Sequence, residues 1–297
     1  MHYRSLLILI ILIVSVTTSP LEKYIKLTAG VSKAAYLPLA GNRFIQNGHI
    51  MEKANALKRK IKFFESSNDK NQEKIACSLG GWSAKSHANR DTEVLLFTHP
   101  EMKLAIFGFR GTESKNLNDW RKNFKTILTS VRIGSAGFKI HQGFRDRYLD
   151  ISPWFESEYQ AIPQDYKIMI TGHSLGGALA TVSAVYAGGK LNRKPDAVIP
   201  FASPLVGEKD FQAYYEEFVG CDHTLRVTVK NDMVTKIPPP LVGYVHVCSP
   251  LELEGNTGFL DELKLAENHS LYRGYAIGLA KRYKNENNIN LGCDRSA

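Results

Sequence analysis

The segment Gly172-His173-Ser174-Leu175-Gly176-Gly177 constrains this chain more than any other. It follows the apolar run Tyr166 to Thr171 and precedes the small-residue stretch Ala178 to Ala184, so it predicts a strand, a tight turn and a helix. A serine at such a turn sits in a strained backbone conformation with its hydroxyl lifted out beyond the strand. Gly172 and Gly176 fit because a side chain at either position would collide with the neighbouring strand or helix. The start of the following helix adds unpaired N–H groups and positive dipole beside the serine, where a developing oxyanion would be stabilised. Ser174 is therefore the candidate nucleophile.

A serine nucleophile needs a base within hydrogen-bond reach and an acid to orient that base. In α/β architectures with this kind of turn, the chain order is serine, acid, histidine, each at the C-terminal edge of the sheet. Asp232 is the best acid after Ser174, because it follows the β run Leu225 to Lys230 and Pro238-Pro239-Pro240 then redirects the chain. Asp196, Asp210 and Asp222 stand before strands or in a helix, where caps and surface charges belong. Two histidines follow Asp232. His246 lies inside the β run Tyr244 to Cys248 and reads as a structural strand residue, whereas His269 lies in the loop that feeds the last helix. Loop placement favours His269 as the base. His173, inside the turn, reads as a residue packed beneath it. The oxyanion needs two donors: the N–H of Leu175 is one candidate, and the N–H of Thr112, in Phe109-Arg110-Gly111-Thr112 after an early strand, is the other.

The first residues give a basic start, an apolar core from Ser5 to Val16, and the small residues Ser15, Thr17, Thr18 and Ser19. That pattern predicts a signal peptide over residues 1–18 and a secreted protein, since the core is shorter than the roughly 20 residues that span a bilayer. No other segment could span a membrane. Residues 19–297 read as one α/β domain, with no repeat or linker to divide them. The net charge of +9 is concentrated in short runs such as Lys58 to Lys62 and Arg121 to Lys125. Without a recognition motif, nucleic acid is excluded as the main partner, and anionic lipid headgroups suit the excess better. The cysteines at 77, 221, 248 and 293 do not match paired Cys-x-x-Cys metal ligands. Their even number in an exported chain predicts two disulfides, with Cys221 to Cys248 and Cys77 to Cys293 as the favoured pairing. No metal and no cofactor is called for.

Along the chain, residues 21–37 and 49–66 read as amphipathic helices and residues 93–98 and 103–109 as a hairpin. Leu117, Trp120, Phe124, Ile127, Leu128 and Val131 make one helical stripe over 116–131. Residues 144–161 read as helical around a break at Pro153. A strand to Thr171, a helix to Gly188-Gly189, β runs at 197–202, 225–230 and 244–248, a helix at 209–218 and a last helix through Tyr283 complete the reading. Strands alternating with helices after residue 100 predict a mostly parallel sheet covered on both faces.

Taken together, the segments Phe109-Arg110-Gly111-Thr112, Asn118-Asp119-Trp120, His141-Gln142-Gly143-Phe144, Ile170 to Gly177, Asn231-Asp232-Met233-Val234, Ile237-Pro238-Pro239 and Asn268-His269-Ser270-Leu271-Tyr272 run in order over roughly residues 100–280. In this the chain resembles the fungal-type class 3 lipases, a family with the α/β-hydrolase fold. The resemblance implies a mostly parallel central sheet with helices on both faces and a helical lid. It implies Ser174, Asp232 and His269 as triad, Thr112 and Leu175 as oxyanion donors, and the residues just after Thr112 as the lid, with Leu117, Trp120 and Phe124 on its apolar side. The end Leu291-Gly292-Cys293 also resembles the family's C-terminal cysteine, but Leu37 stands after Ala35-Tyr36 where the family usually has that cysteine's partner. Leu205 stands where an arginine is common. The implied activity is hydrolysis of acylglycerol esters at a lipid–water interface, anionic interfaces being favoured by Lys115, Arg121, Lys122 and Lys125. Phospholipase A1 and feruloyl-type esterase are alternatives on the same fold. A silent lipid-surface binder is the alternative from another class. The only N-glycosylation sequon, Asn268-His269-Ser270, adjoins the candidate base and is expected to be unused.

Overall fold

In the computed structural model, the described residues are 19–36, 83–111, 126–255 and 267–283. Thr112, the stripe residues Leu117, Trp120 and Phe124, the amphipathic segment 49–66, the proposed signal segment and the cysteines at 77 and 293 lie outside them. Among the described residues, seven strands form one sheet: β1 (Ser83–Asn89), β2 (Thr92–His99), β3 (Leu104–Phe109), β6 (Lys167–His173), β7 (Ala197–Phe201), β8 (Arg226–Val229) and β9 (Pro250–Leu253). They lie side by side in that order. The β1–β2 and β2–β3 pairs are antiparallel, and every pair from β3 to β9 is parallel. A separate two-stranded hairpin comprises β4 (Leu128–Ile133) and β5 (Ala136–His141).

Strand alternation feeds two cores, one on each face. Val94, Leu96, Phe107 and Phe109 face α2 (Gln142–Ala161), α3 (Leu175–Gly189) and α4 (Lys209–Phe218). Leu95, Phe97 and Ile106 face α1 (Ile25–Ala34) and the C-terminal helix α5 (Ile277–Arg282), which contribute Ile25, Ala29 and Leu279. The parallel strands have both faces covered, as their near-continuous apolar sequences require. Between them, α3 is buried over almost its whole length, so its run of Ala, Gly, Ser and Val lets it lie close against β6.

Four elements differ from the sequence reading. Leu128 and Val131 belong to β4 and not to a helical stripe: the residues that turn inward are Val131 and Ile133, two apart, with the exposed Arg132 between them, and Leu128, three residues before Val131, lies on the opposite face. The chain reverses at Gly134, whose φ of +58° suits a glycine. Pro153 does not break α2. Proline has no N–H for the carbonyl of Leu149, and the Ser152 hydroxyl donates to that carbonyl instead (3.3 Å), on the exposed side of the helix. The stretch from Tyr244 to Cys248 is no strand. It holds a single bridge, Val245 to Gly207, and the true ninth strand begins at Pro250. His269 stands in a helical turn, 267–269, ahead of a wide π-helical turn at Leu271–Ala276. The Cys221–Cys248 disulfide is present, closing a loop with a sequence separation of 27.

Candidate active site

Because β6, β7 and β8 run parallel, whatever follows each of them emerges at one edge of the sheet. Ser174 follows β6 directly and caps α3, with φ 60° and ψ −127°, a backbone region that non-glycine residues occupy only when their surroundings hold them there. The surroundings do so tightly. The Ser174 N–H donates to the carbonyl of Phe201 at the end of β7 (2.9 Å). A Cβ on Gly172 would come within 2.2 Å of the Gly176 carbonyl oxygen, and one on Gly176 within 2.2 Å of the Phe109 carbonyl oxygen. The two glycines thus let the turn close on itself and press against the end of β3.

Asp232 stands just past β8. Asn231 takes the left-handed conformation (φ 67°) that asparagine tolerates, and the Asp232 N–H then turns back to the Val229 carbonyl at 3.0 Å. The carboxylate is fully buried and richly bonded: its Oδ1 accepts from the Val234 N–H at 3.0 Å, and its Oδ2 accepts from the Tyr275 hydroxyl at 2.7 Å. Burial, and then the charge of Asp232, raise the Tyr275 phenol well above its ordinary range, so it stays a donor.

His269 completes the line. Its Nδ1 lies 3.0 Å from each oxygen of Asp232, and its Nε2 lies 2.9 Å from the Ser174 Oγ. An acceptor pair at Nδ1 fixes the proton there, which leaves Nε2 free to accept from the serine hydroxyl. All three side chains are buried, so these polar contacts act in a medium that screens them less than water does. Chemically, the arrangement can deprotonate the serine as it attacks and stabilise the imidazolium that forms.

Leu175 is the first residue of α3 and its N–H is among those a helix start leaves without an intrahelical partner, beside the Ser174 Oγ. Thr112 lies outside the described residues, but the segment leading to it stops at Gly111, where a Cβ would fall 2.3 Å from the His173 carbonyl oxygen. The loop therefore reaches the turn that carries Ser174. His246 is placed elsewhere: its Nε2 lies 2.6 Å from the Thr235 carbonyl, and Thr235 in turn donates its hydroxyl to the Asp232 carbonyl (2.8 Å). Burial, aided by the Arg226 charge, pushes the His246 imidazole down to about 4, so it is neutral and acts as a brace. Asn268 is 1% exposed, which leaves no room for a glycan in the folded chain. Sequence reasoning missed the contact of Tyr275 with Asp232. An α-helical spacing gives no reason to aim that residue at the acid, and only the wide turn at Leu271–Ala276 does so. Among the described residues, no cluster of His, Cys, Asp or Glu could hold a metal ion.

Residues 106–242 match the model of the family described as lipase (class 3). A secreted mono- and diacylglycerol lipase of Fusarium solani is 30% identical over 156 residues, which is 52% of this chain and 45% of that protein. A lipase of Rhizopus niveus is 30% identical over 169 residues, 52% of this chain and 40% of that protein. The matched stretch thus spans less than half of either relative. Among solved structures, the mono- and diacylglycerol lipase of Aspergillus oryzae superposes with a TM-score of 0.60 at 22% identity, covering 81% of each chain, which is a likeness of fold. With its parallel sheet and its serine turn, the chain has the α/β-hydrolase fold, and over residues 106–242 it is similar to the class 3 lipases.

Proposed function

We propose that this chain is a secreted serine ester hydrolase, a lipase that cleaves acylglycerol esters by way of an acyl-enzyme. The observation that carries the reading is the unbroken line from the Ser174 Oγ through His269 to Asp232, with separations of 2.9 Å and 3.0 Å. In the proposed reaction, His269 Nε2 takes the Ser174 proton while Oγ attacks the ester carbonyl, and Asp232 balances the imidazolium. The Leu175 and Thr112 N–H groups receive the oxyanion. Collapse of the tetrahedral intermediate breaks the bond to the alcohol, which leaves with the proton from His269. Water then adds to the acyl-enzyme with His269 again as base, releasing the fatty acid and restoring the serine. The chemistry asks for no metal and no cofactor.

Residues just after Thr112 are proposed as the lid, with Leu117, Trp120 and Phe124 turned to lipid and Lys115, Arg121, Lys122 and Lys125 drawing the enzyme to anionic surfaces. The basic and apolar start of the chain supports export, and two named relatives are secreted lipases. Among the described residues no helix is long and apolar enough to cross a membrane. The test is hydrolysis of emulsified triacylglycerol, diacylglycerol, phospholipid vesicles and short soluble esters by the wild type and by Ser174→Ala. Acylglycerol hydrolysis abolished in the variant supports the reading. Preference for phospholipid would replace it by phospholipase A1, and no serine-dependent hydrolysis of any ester would end it. Equal rates on neutral and anionic vesicles at low salt would remove the electrostatic part.

A further inference from the structure

Beneath the serine turn lies a second line of hydrogen bonds that the reaction itself does not use. Tyr36, just past α1, places its hydroxyl 2.8 Å from Nδ1 of His173 and 3.4 Å from the His173 carbonyl. On the other side of the same imidazole, Nε2 lies 2.8 Å from the main-chain carbonyl of His269. The two rings, His173 and His269, have centroids 4.8 Å apart, and Tyr275 meets the His173 ring edge-on at 5.8 Å. Gly111 completes the cluster: a Cβ there would lie 2.3 Å from the Tyr36 Oη and 2.3 Å from the His173 carbonyl oxygen. One phenol therefore touches the loop that leads to Thr112, the turn that carries Ser174 and the imidazole that holds the backbone of the candidate base.

The protons in this line have one consistent arrangement. A carbonyl can only accept, so His173 Nε2 carries the hydrogen and Nδ1 is bare. The Tyr36 hydroxyl must then donate to Nδ1. Burial raises the Tyr36 phenol above its ordinary range, which keeps that donor in place. The direction of the chain of bonds is thus set from the N-terminal helix to His269.

We propose that Tyr36 and His173 are positioning residues, which hold the His269 main chain against the serine turn and keep its imidazole in register with Ser174 and with the loop leading to Thr112. The proposal rests on the hydrolase reading above. Neither residue touches the reacting atoms. Their effect is on geometry: a histidine whose main chain drifts by a fraction of an ångström loses the alignment of Nε2 with Oγ and no binding surface.

Two isosteres separate this role from plain packing. Glutamine at 173 can present an N–H near the place of Nε2 and so reach the His269 carbonyl, while asparagine can occupy only the place of Nδ1. With p-nitrophenyl butyrate as substrate, Tyr36→Phe and His173→Asn should lower kcat roughly ten- to a hundredfold, the scale of a small misplacement, with KM within about twofold. His173→Gln should be at least about fivefold more active than His173→Asn at similar melting temperature, since it keeps the bond to His269. Equal activity of the Asn and Gln variants, or wild-type kcat in Tyr36→Phe, would overturn the proposal. So would a kcat loss that follows the melting temperature alone. Nitrogen-15 NMR of histidine-labelled wild type gives an answer that does not depend on variants folding: His173 should show a protonated Nε2 and a bare Nδ1, and the opposite tautomer would sink the relay. If the wild type hydrolyses no ester, the proposed function fails while that tautomer still decides whether the line of bonds exists.

Discussion

Replacing Asp232 by asparagine separates the two things this buried group does. Its bonds to Val234 and Tyr275 hold the turn after β8, and its charge faces the imidazole. Asparagine can keep the first. Its Oδ1 accepts from the Val234 N–H, and its Nδ2 can donate to the Tyr275 oxygen if the phenol reverses its proton, so melting temperature should change little. The charge cannot be kept. With Nδ1 at 3.0 Å from both carboxylate oxygens, the centres of charge in the imidazolium–carboxylate pair are about 4 Å apart, and at an effective dielectric constant near 20 the attraction is about 4 kcal/mol. That attraction exists only once His269 has taken the serine proton, so its loss falls on the barrier and not on the resting state. At 1.36 kcal/mol per decade it predicts a fall in kcat of about a thousandfold. If the amide also turns an N–H toward Nδ1, the imidazole carries its proton on Nε2 and cannot act as base, which extends the loss to about ten-thousandfold. The assay is steady-state hydrolysis of p-nitrophenyl butyrate by the wild type and Asp232→Asn, with active-site titration and a melting curve for each. A folded variant within tenfold of wild type would refute the reasoning, because no buried carboxylate would then be supporting the imidazolium.

Other substitutions probe the frame. Tyr275→Phe removes one of the bonds to Asp232 and should cost about 1–3 kcal/mol of stability, read from urea unfolding, because the other groups around the acid remain. Replacing Cys221 and Cys248 together by alanine should lower stability by about 3.5 kcal/mol on loop entropy for a separation of 27, checked by the same unfolding curves. His246 gives a pH signature. Its folded value is pushed down to about 4 from an ordinary 6.5, so as pH falls below about 6.5 the unfolded chain binds the proton first and stability declines until about pH 4. The full contribution is about 3 kcal/mol, present above that window and lost within it, and His246→Gln should flatten this part of the acid limb relative to wild type.

What the sequence made legible, and what it did not, follows from how local each signal is. The serine turn could be read because its glycines, its strand and its helix are contiguous, and the sterics at Gly172 and Gly176 are settled within a few residues. Helix α4 was read at its true bounds, Lys209–Phe218, because its inward residues Phe211, Tyr214 and Tyr215 recur at helical spacing. The hairpin of β4 and β5 was not, since Leu128 and Val131, three apart, continue a helical spacing, and the strand's own inward pair, Val131 and Ile133, is too short a signal to outweigh it before Gly134 turns the chain. Contacts between distant segments left still less trace. Tyr36 meets His173 across 137 residues and Tyr275 meets Asp232 across 43, and a buried tyrosine reads in sequence like any other core aromatic.

The two histidines after Asp232 show the difference most clearly. Both are near the acid in the folded chain, and each is tied to the acid's surroundings by one ring nitrogen: His269 by Nδ1 to the carboxylate itself, its Nε2 being turned to Ser174, and His246 by Nε2 to Thr235 three residues beyond it. What divides them is the partner. A carboxylate stabilises the protonated ring, so His269 can accept a proton and hand it on. The Thr235 carbonyl also favours a protonated ring, but burial and then the Arg226 charge outweigh it and hold His246 neutral. Loop against strand was the wrong criterion, since neither histidine lies in a strand and His269 stands in a helical turn. The choice between two imidazoles is made by the charge each one faces, and that charge is brought to it by chain far away in sequence.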